Sequence, residues 1–141
     1  MGRVIRTENL STERNRLMKA VALAVRELAR QDGFDSKARD LAAFLSLALQ
    51  QVADGIEVSV LPWEKRGYWL KADRFRMDWD WVGPIAKQLQ TSLINDDVAG
   101  IAQTLAKLGP KVQDIQIAEK HRLGTPWVGA WEKLQQDKPA R

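Results

Sequence analysis

The sequence predicts an all-α fold: an antiparallel helical bundle of four to five helices with a long kinked central helix. Three observations carry that expectation. Apolar residues recur at alternating steps of four and three along most of the chain, which places them on one side of a helix. Short links such as Asp32-Gly33 and Gly109-Pro110 separate the candidate helices, and short links join antiparallel neighbours. The chain has 141 residues, 45% of them hydrophobic and 28% charged, which bounds it to one domain with a real core. Residues 1–134 are expected to form a single bundle domain, with 1–10 a basic N-terminal arm and 135–141 a frayed tail.

In residues 12–30, Leu17, Val21, Ala24 and Leu28 form one stripe, Ser11 is a candidate N-cap and Asp32-Gly33 a stop. A second helix starts at Asp35 or Ser36. Leu41, Leu45, Ala48 and Val52 repeat the spacing, and Phe44, Leu47 and Leu49 make the helix apolar beyond one face, as a central helix is. Ile56, Val58 and Val60 alternate with polar residues in a strand-like way, but an isolated strand has no partner there. The helix is therefore expected to persist toward Leu61 and to end at Pro62.

The third segment runs from about residue 64 to 94. Tyr68, Ala72, Phe75, Trp79, Val82, Ala86, Leu89 and Leu93 form an unbroken seam. Gly83-Pro84 removes the amide that would bond residue 80, so the helix should kink there while the seam keeps its phase. Asn95-Asp96-Asp97 supplies caps for a fourth helix, with Val98, Ile101, Ala102, Leu105 and Leu108 on its apolar face and Gly109-Pro110 as its stop. Val112, Ile115 and Ala118 suggest a further short helix, with an extended alternative left open by Ile115 and Ile117. Thr125-Pro126 reads as the start of a terminal helix bearing Trp127, Trp131 and Leu134.

Composition narrows function mostly by exclusion. With no cysteine there is no disulfide, thiolate metal site or cysteine nucleophile. No run approaches the roughly 18 apolar residues that span a bilayer, and the N-terminus lacks a secretory stretch. A cytoplasmic protein without membrane attachment is the resulting expectation. The net charge of +4 is spread without a block of like charge, favouring an anionic partner only mildly. His121, the single histidine, has no second ligand at metal-binding spacing. Asp96-Asp97 is explained by capping rather than acid–base chemistry, and Asp78 and Asp80 do not face each other on a helix. No phosphate loop or nucleophile motif occurs. The expectation is a non-enzyme with no catalytic, cofactor or metal site, although a small-molecule pocket between helices stays open as a third class.

One feature is not absorbed by packing. Opposite the seam of the third segment lie Arg66, Trp69, Leu70, Asp73, Met77, Asp80 and Trp81, where a simple bundle helix would be polar. Three readings compete: the 112–118 segment or the terminal Trp127/Trp131 helix covers this face; a second copy or another protein covers it; or nucleic acid stacks on it. Protein–protein contact is the leading expectation, by an accessory subunit, an adaptor or a self-associating oligomer. Trp69, Met77 and Trp81 are the anchors, Leu70 belongs to the same contact face, and Arg66, Lys71, Arg74 and Arg76 are the rim. Arg74 with Asp78, and Arg76 with Asp80, are expected to pair along the helix. The alternative is a nucleic-acid or ribonucleoprotein accessory module, with Arg3, Arg6, Arg14, Arg16 and Lys19 along phosphates. The helices are too long, and Leu41–Leu49 too apolar, for a helix-turn-helix.

Overall fold

The computed structural model describes residues 7–136. Their regular structure is helical: α1 (Thr7–Ala29), α2 (Ser36–Lys65), α3 (Trp69–Asp78), α4 (Val82–Ile94), α5 (Val98–Val112) and α6 (Ala130–Gln136). α2 is the hub, packed by α1, α3, α4 and α6, while α5 closes the bundle against α4 and α1. Leu41, Leu45 and Leu49 are fully buried along α2, and Val21, Val82, Leu89, Ile101 and Leu108 meet them from three other helices. Among the described residues α2 is also the one helix long and apolar enough to cross a membrane, although the sequence shows no uninterrupted apolar run of that length. More than half of its most apolar stretch lies buried within the bundle.

The kinked central helix is realised as α3 and α4, joined through a turn at residues 79–81. Pro84 causes the kink from the far side. It falls in the first turn of α4, where helix amides lack intrahelical acceptors anyway, and residue 80 is left in the turn. Ala72, Val82, Ala86, Leu89 and Leu93 of the seam are buried and Phe75 and Trp79 half-buried, but Tyr68 at its head is exposed.

Helix ends differ from the sequence expectation in a consistent way. α1 starts at Thr7, so Ser11 lies inside it and residues 7–10 of the expected arm are helical. Pro62 and Pro110 do not stop their helices; each sits in the last turn of α2 or α5. A proline there removes only one bond, to Val58 or Ala106, both at exposed positions. Val112, 2% exposed, anchors the extra turn of α5. On α5 the buried stripe is Ile101, Thr104, Leu108 and Val112, while Val98 and Ala102 are exposed. Two expected N-caps are observed: Asp35 accepts from the Ala38 amide at 2.9 Å, and Asp97 from the Gly100 amide at 3.0 Å.

α2 ends in a Schellman motif. The Tyr68 amide donates to the Trp63 carbonyl at 2.8 Å and the Gly67 amide to the Glu64 carbonyl at 3.0 Å. Gly67 takes φ 79°, the left-handed conformation that costs a Cβ-bearing residue about 1–2 kcal/mol. The turn reverses the chain and lays α3 back on the end of α2.

Residues 113–129 form no helix, so neither the short helix at 112–118 nor a helix starting at Thr125-Pro126 is present. Charged side chains from elsewhere hold this segment. Arg26 of α1 donates to the Ile115 carbonyl at 2.6 Å. Asp40 of α2 accepts from the Gly129 and Trp131 amides at 3.2 and 2.9 Å, which fastens the start of α6. Trp127, just ahead of α6, and Leu134 within it are buried. Gln135 and Gln136 are the last residues of α6, and the rest of the expected tail lies outside the described residues.

Two glycine variants separate turn from helix. Gly67→Ala should lower the unfolding free energy by about 1–2 kcal/mol because of its positive φ. Gly55→Ala, with open space around the added methyl inside α2, should raise it by about 0.5–1 kcal/mol. Urea titration of the two variants checks the opposite signs.

Candidate functional site

α3 has 10 residues, too few for a stable helix in isolation. Side-chain contacts on its inner face hold it. Phe75 meets Trp63 of α2 edge to face, with ring centroids 5.2 Å apart. Arg14 of α1 places its guanidinium 5.0 Å from the Phe75 ring centre and 5.5 Å from that of Trp79, a pair of cation–π contacts. Burial lowers the pKa of Arg14 from its ordinary value.

Arg76 clamps the other edge. It donates through Nη1 to Glu64 at 2.7 Å and through Nε to Glu57 at 3.1 Å, with Asp73 at 3.8 Å. The hydrogen bonds to Glu64 and then Glu57 raise its pKa above the ordinary arginine value. The expected Arg76–Asp80 pair is therefore replaced by bonds to α2, and Arg76 is a clamp rather than a rim residue. Among the described residues Arg74 forms no ion pair with Asp78.

With Ala72, Phe75 and Arg76 turned inward, the helix directs Leu70, Arg74 and Met77 outward at steps of four and three. Leu70 is 64% exposed, Met77 68% and the flanking Trp69 59%. Six of the eight exposed large hydrophobics among the described residues fall between Val58 and Met77, whereas Val98 and Val128 stand apart. Between α3 and the end of α2 runs an open groove of roughly 680 Å³, with Trp63 and Phe75 among its lining residues, together with Tyr68, Leu70, Lys71 and Arg74. The Lys71 ammonium lies 4.6 Å from the centre of the Trp63 ring.

The residues singled out from sequence divide. Trp69, Leu70, Lys71, Arg74 and Met77 share the exposed side of α3. Arg66 is the C-cap of α2, beside them but not on that helix. Trp81 does not belong to the exposed group. It stacks on Trp79 with centroids 6.3 Å apart, packs against the core and carries the Lys111 ammonium 5.6 Å from its ring centre. The turn at 79–81 swings it inward, where the end of α5 covers it. The terminal helix α6 packs on α2 instead of covering α3. Of the proposed phosphate contacts, Arg14 is engaged with aromatic rings, Arg16 and Lys19 are exposed, and Arg3 and Arg6 lie outside the described residues.

Three of the groups considered for chemistry, His121, Asp96 and Asp97, make local structural contacts. His121 Nδ1 accepts from the Leu123 amide at 3.2 Å. Asp97 caps α5, and Asp96 pairs with Arg39 at 2.9 Å. Among the described residues no three His, Asp or Glu side chains stand close enough to hold a metal ion, and every buried side-chain polar atom has a hydrogen-bond partner. A polar groove of roughly 650 Å³ between α4 and α5 contains Lys87 and Lys107, but the α5 N-terminus behind it is already occupied by the Asp97 carboxylate. No family model, curated protein or solved structure matches the chain.

Removing the clamp should release α3 selectively. Arg76→Gln is expected to speed amide exchange at residues 72–78 at least about tenfold while the Leu41–Leu49 amides stay protected, because local openings are cheaper than global unfolding. Hydrogen-exchange mass spectrometry reads both regions in one experiment.

Proposed function

We propose that the protein acts without catalysis, through protein–protein contact made by the outer side of α3. The observation that carries this reading is the exposure of Trp69, Leu70 and Met77 together on one short helix. Burying a large apolar side chain stabilises by about 1.5–3 kcal/mol, so the three left in water are a driving force for association. Tryptophan and arginine are the residues that dominate binding hot spots, and methionine adapts to a partner's shape. The short α3 is held from behind by Arg14, Trp63 and the Arg76 clamp, which presents the face in a fixed orientation.

The useful variants are those whose side chains support nothing internal. Trp81→Asp would damage the core and cannot test docking. A photoreactive phenylalanine derivative replacing Leu70 or Met77 should give protein adducts in the native host. The same group at Val128, which is 72% exposed and isolated, should not. Equal adduct patterns at all three positions would sink the proposal, and adducts at twice the chain mass would identify a second copy.

A further inference from the structure

We infer that the face on α3 takes an acidic segment of a different protein, one carrying aliphatic or aromatic anchors for the groove beside Trp63 and Phe75. This deepens the protein-contact reading and rests on it. Its basis is the uneven pairing of charge around α3. Arg76 gathers three carboxylates, those of Glu57, Glu64 and Asp73. Lys65, Arg66 and Arg74 make no ion pair among the described residues, and Lys71 rests on the Trp63 ring. Asp78 lines the groove together with Lys71 and Arg74 and, like the exposed Asp80, makes no ion pair among the described residues, so four cations stand there against two unpaired carboxylates. The outer side of α3 thus offers unpaired cations around an apolar stripe, and electrostatic complementarity favours carboxylates opposite them.

The same charges argue against the other occupants. A two-fold contact between copies presents the same patch from both sides, so the excess of cations over carboxylates on this face would be doubled within the contact, and like charges opposed across an interface cost several kcal/mol. On a lipid surface, Asp73 and Asp78 would be pressed toward the acyl boundary with Leu70 and Met77, and burying carboxylates there is costly. Nucleic acid would satisfy the cations and could stack on Trp69, but it brings no aliphatic group for Leu70 and Met77.

The test uses the full chain and four probes: a fluorescent acidic amphipathic peptide with Leu and Phe anchors, its lysine-for-glutamate counterpart, phosphatidylglycerol–phosphatidylcholine vesicles, and polyuridylate. The acidic peptide should bind at least about tenfold tighter than the lysine peptide, and affinity should fall about tenfold as salt rises and screens the pairs. The Arg66→Glu/Arg74→Glu double variant should lose at least about tenfold in affinity, and Arg66→Lys/Arg74→Lys should keep most of it. Circular dichroism verifies that both variants fold. Should either not fold, the salt series on the unaltered chain decides. Equal binding of the two peptides, no binding of the acidic one, indifference to charge reversal or salt, or binding confined to vesicles or polyuridylate overturns the assignment. Position-70 adducts to a protein that survive the charge reversal would remove the acidic partner and leave protein docking standing. Absence of any such adduct would remove both.

Discussion

A helix that is apolar around most of its circumference has to be covered around most of its circumference, and α2 imposes that demand on the rest of the chain. Its 30 residues are longer than any single neighbour, so α1, α4 and α6 share the job over the N-terminal and middle turns. The last turns near Trp63 fall to α3. There the chain has little left to offer. α3 is short, its inner side is satisfied by the Trp63–Phe75 contact, the Arg14 guanidinium and the Arg76 clamp, and no further element of the described chain stacks on its back. The exposed Trp69, Leu70 and Met77 follow from a long hub and a short final cover.

Much of this architecture is legible in the sequence, for reasons that are local. Asp35 and Asp97 are readable as caps because a cap acts within three residues of itself. The seam from Ala72 to Leu93 is readable because helical periodicity survives a kink. What escapes is whatever depends on distant partners. Nothing near Ile115 announces that Arg26 will hold its carbonyl, and nothing near Trp131 announces Asp40. Pro62 and Pro110 mislead for a different reason: the cost of a proline depends on its place in the helix, and the last turn tolerates it. Trp69 and Trp81 look alike on a helical wheel drawn through 66–81. The turn at 79–81 breaks the wheel and turns one tryptophan inward while the other stays outside. The arginines could not be sorted by spacing either, since Arg76 prefers Glu57 and Glu64 across the helix pair to Asp80 along its own helix.

The charged side chains of this fold behave more as fasteners than as reactive groups. Arg14 and Arg39 lie over aromatic rings, Arg39 also against Asp96, and Arg76 spans two helices. A guanidinium suits these tasks because it is flat, permanently charged and able to donate in several directions at once. These contacts tie α1, α2, α3 and α6 together, and of the arginines on α3 it is Arg76, not Arg74, that is spent in this way.

The attachment of α6 by Asp40 also has a consequence for how the molecule is made. Asp40 and the amide it accepts from at Trp131 are 91 positions apart, and a growing polypeptide emerges from the ribosome N-terminus first. The α2 flank that will receive Trp127 and Leu134 therefore waits, uncovered, until the segment through Leu134 has been synthesised. Closure of this flank is a long-range event, and nascent chains stalled short of Trp131 would expose a greasy strip of α2 to chaperones and to one another.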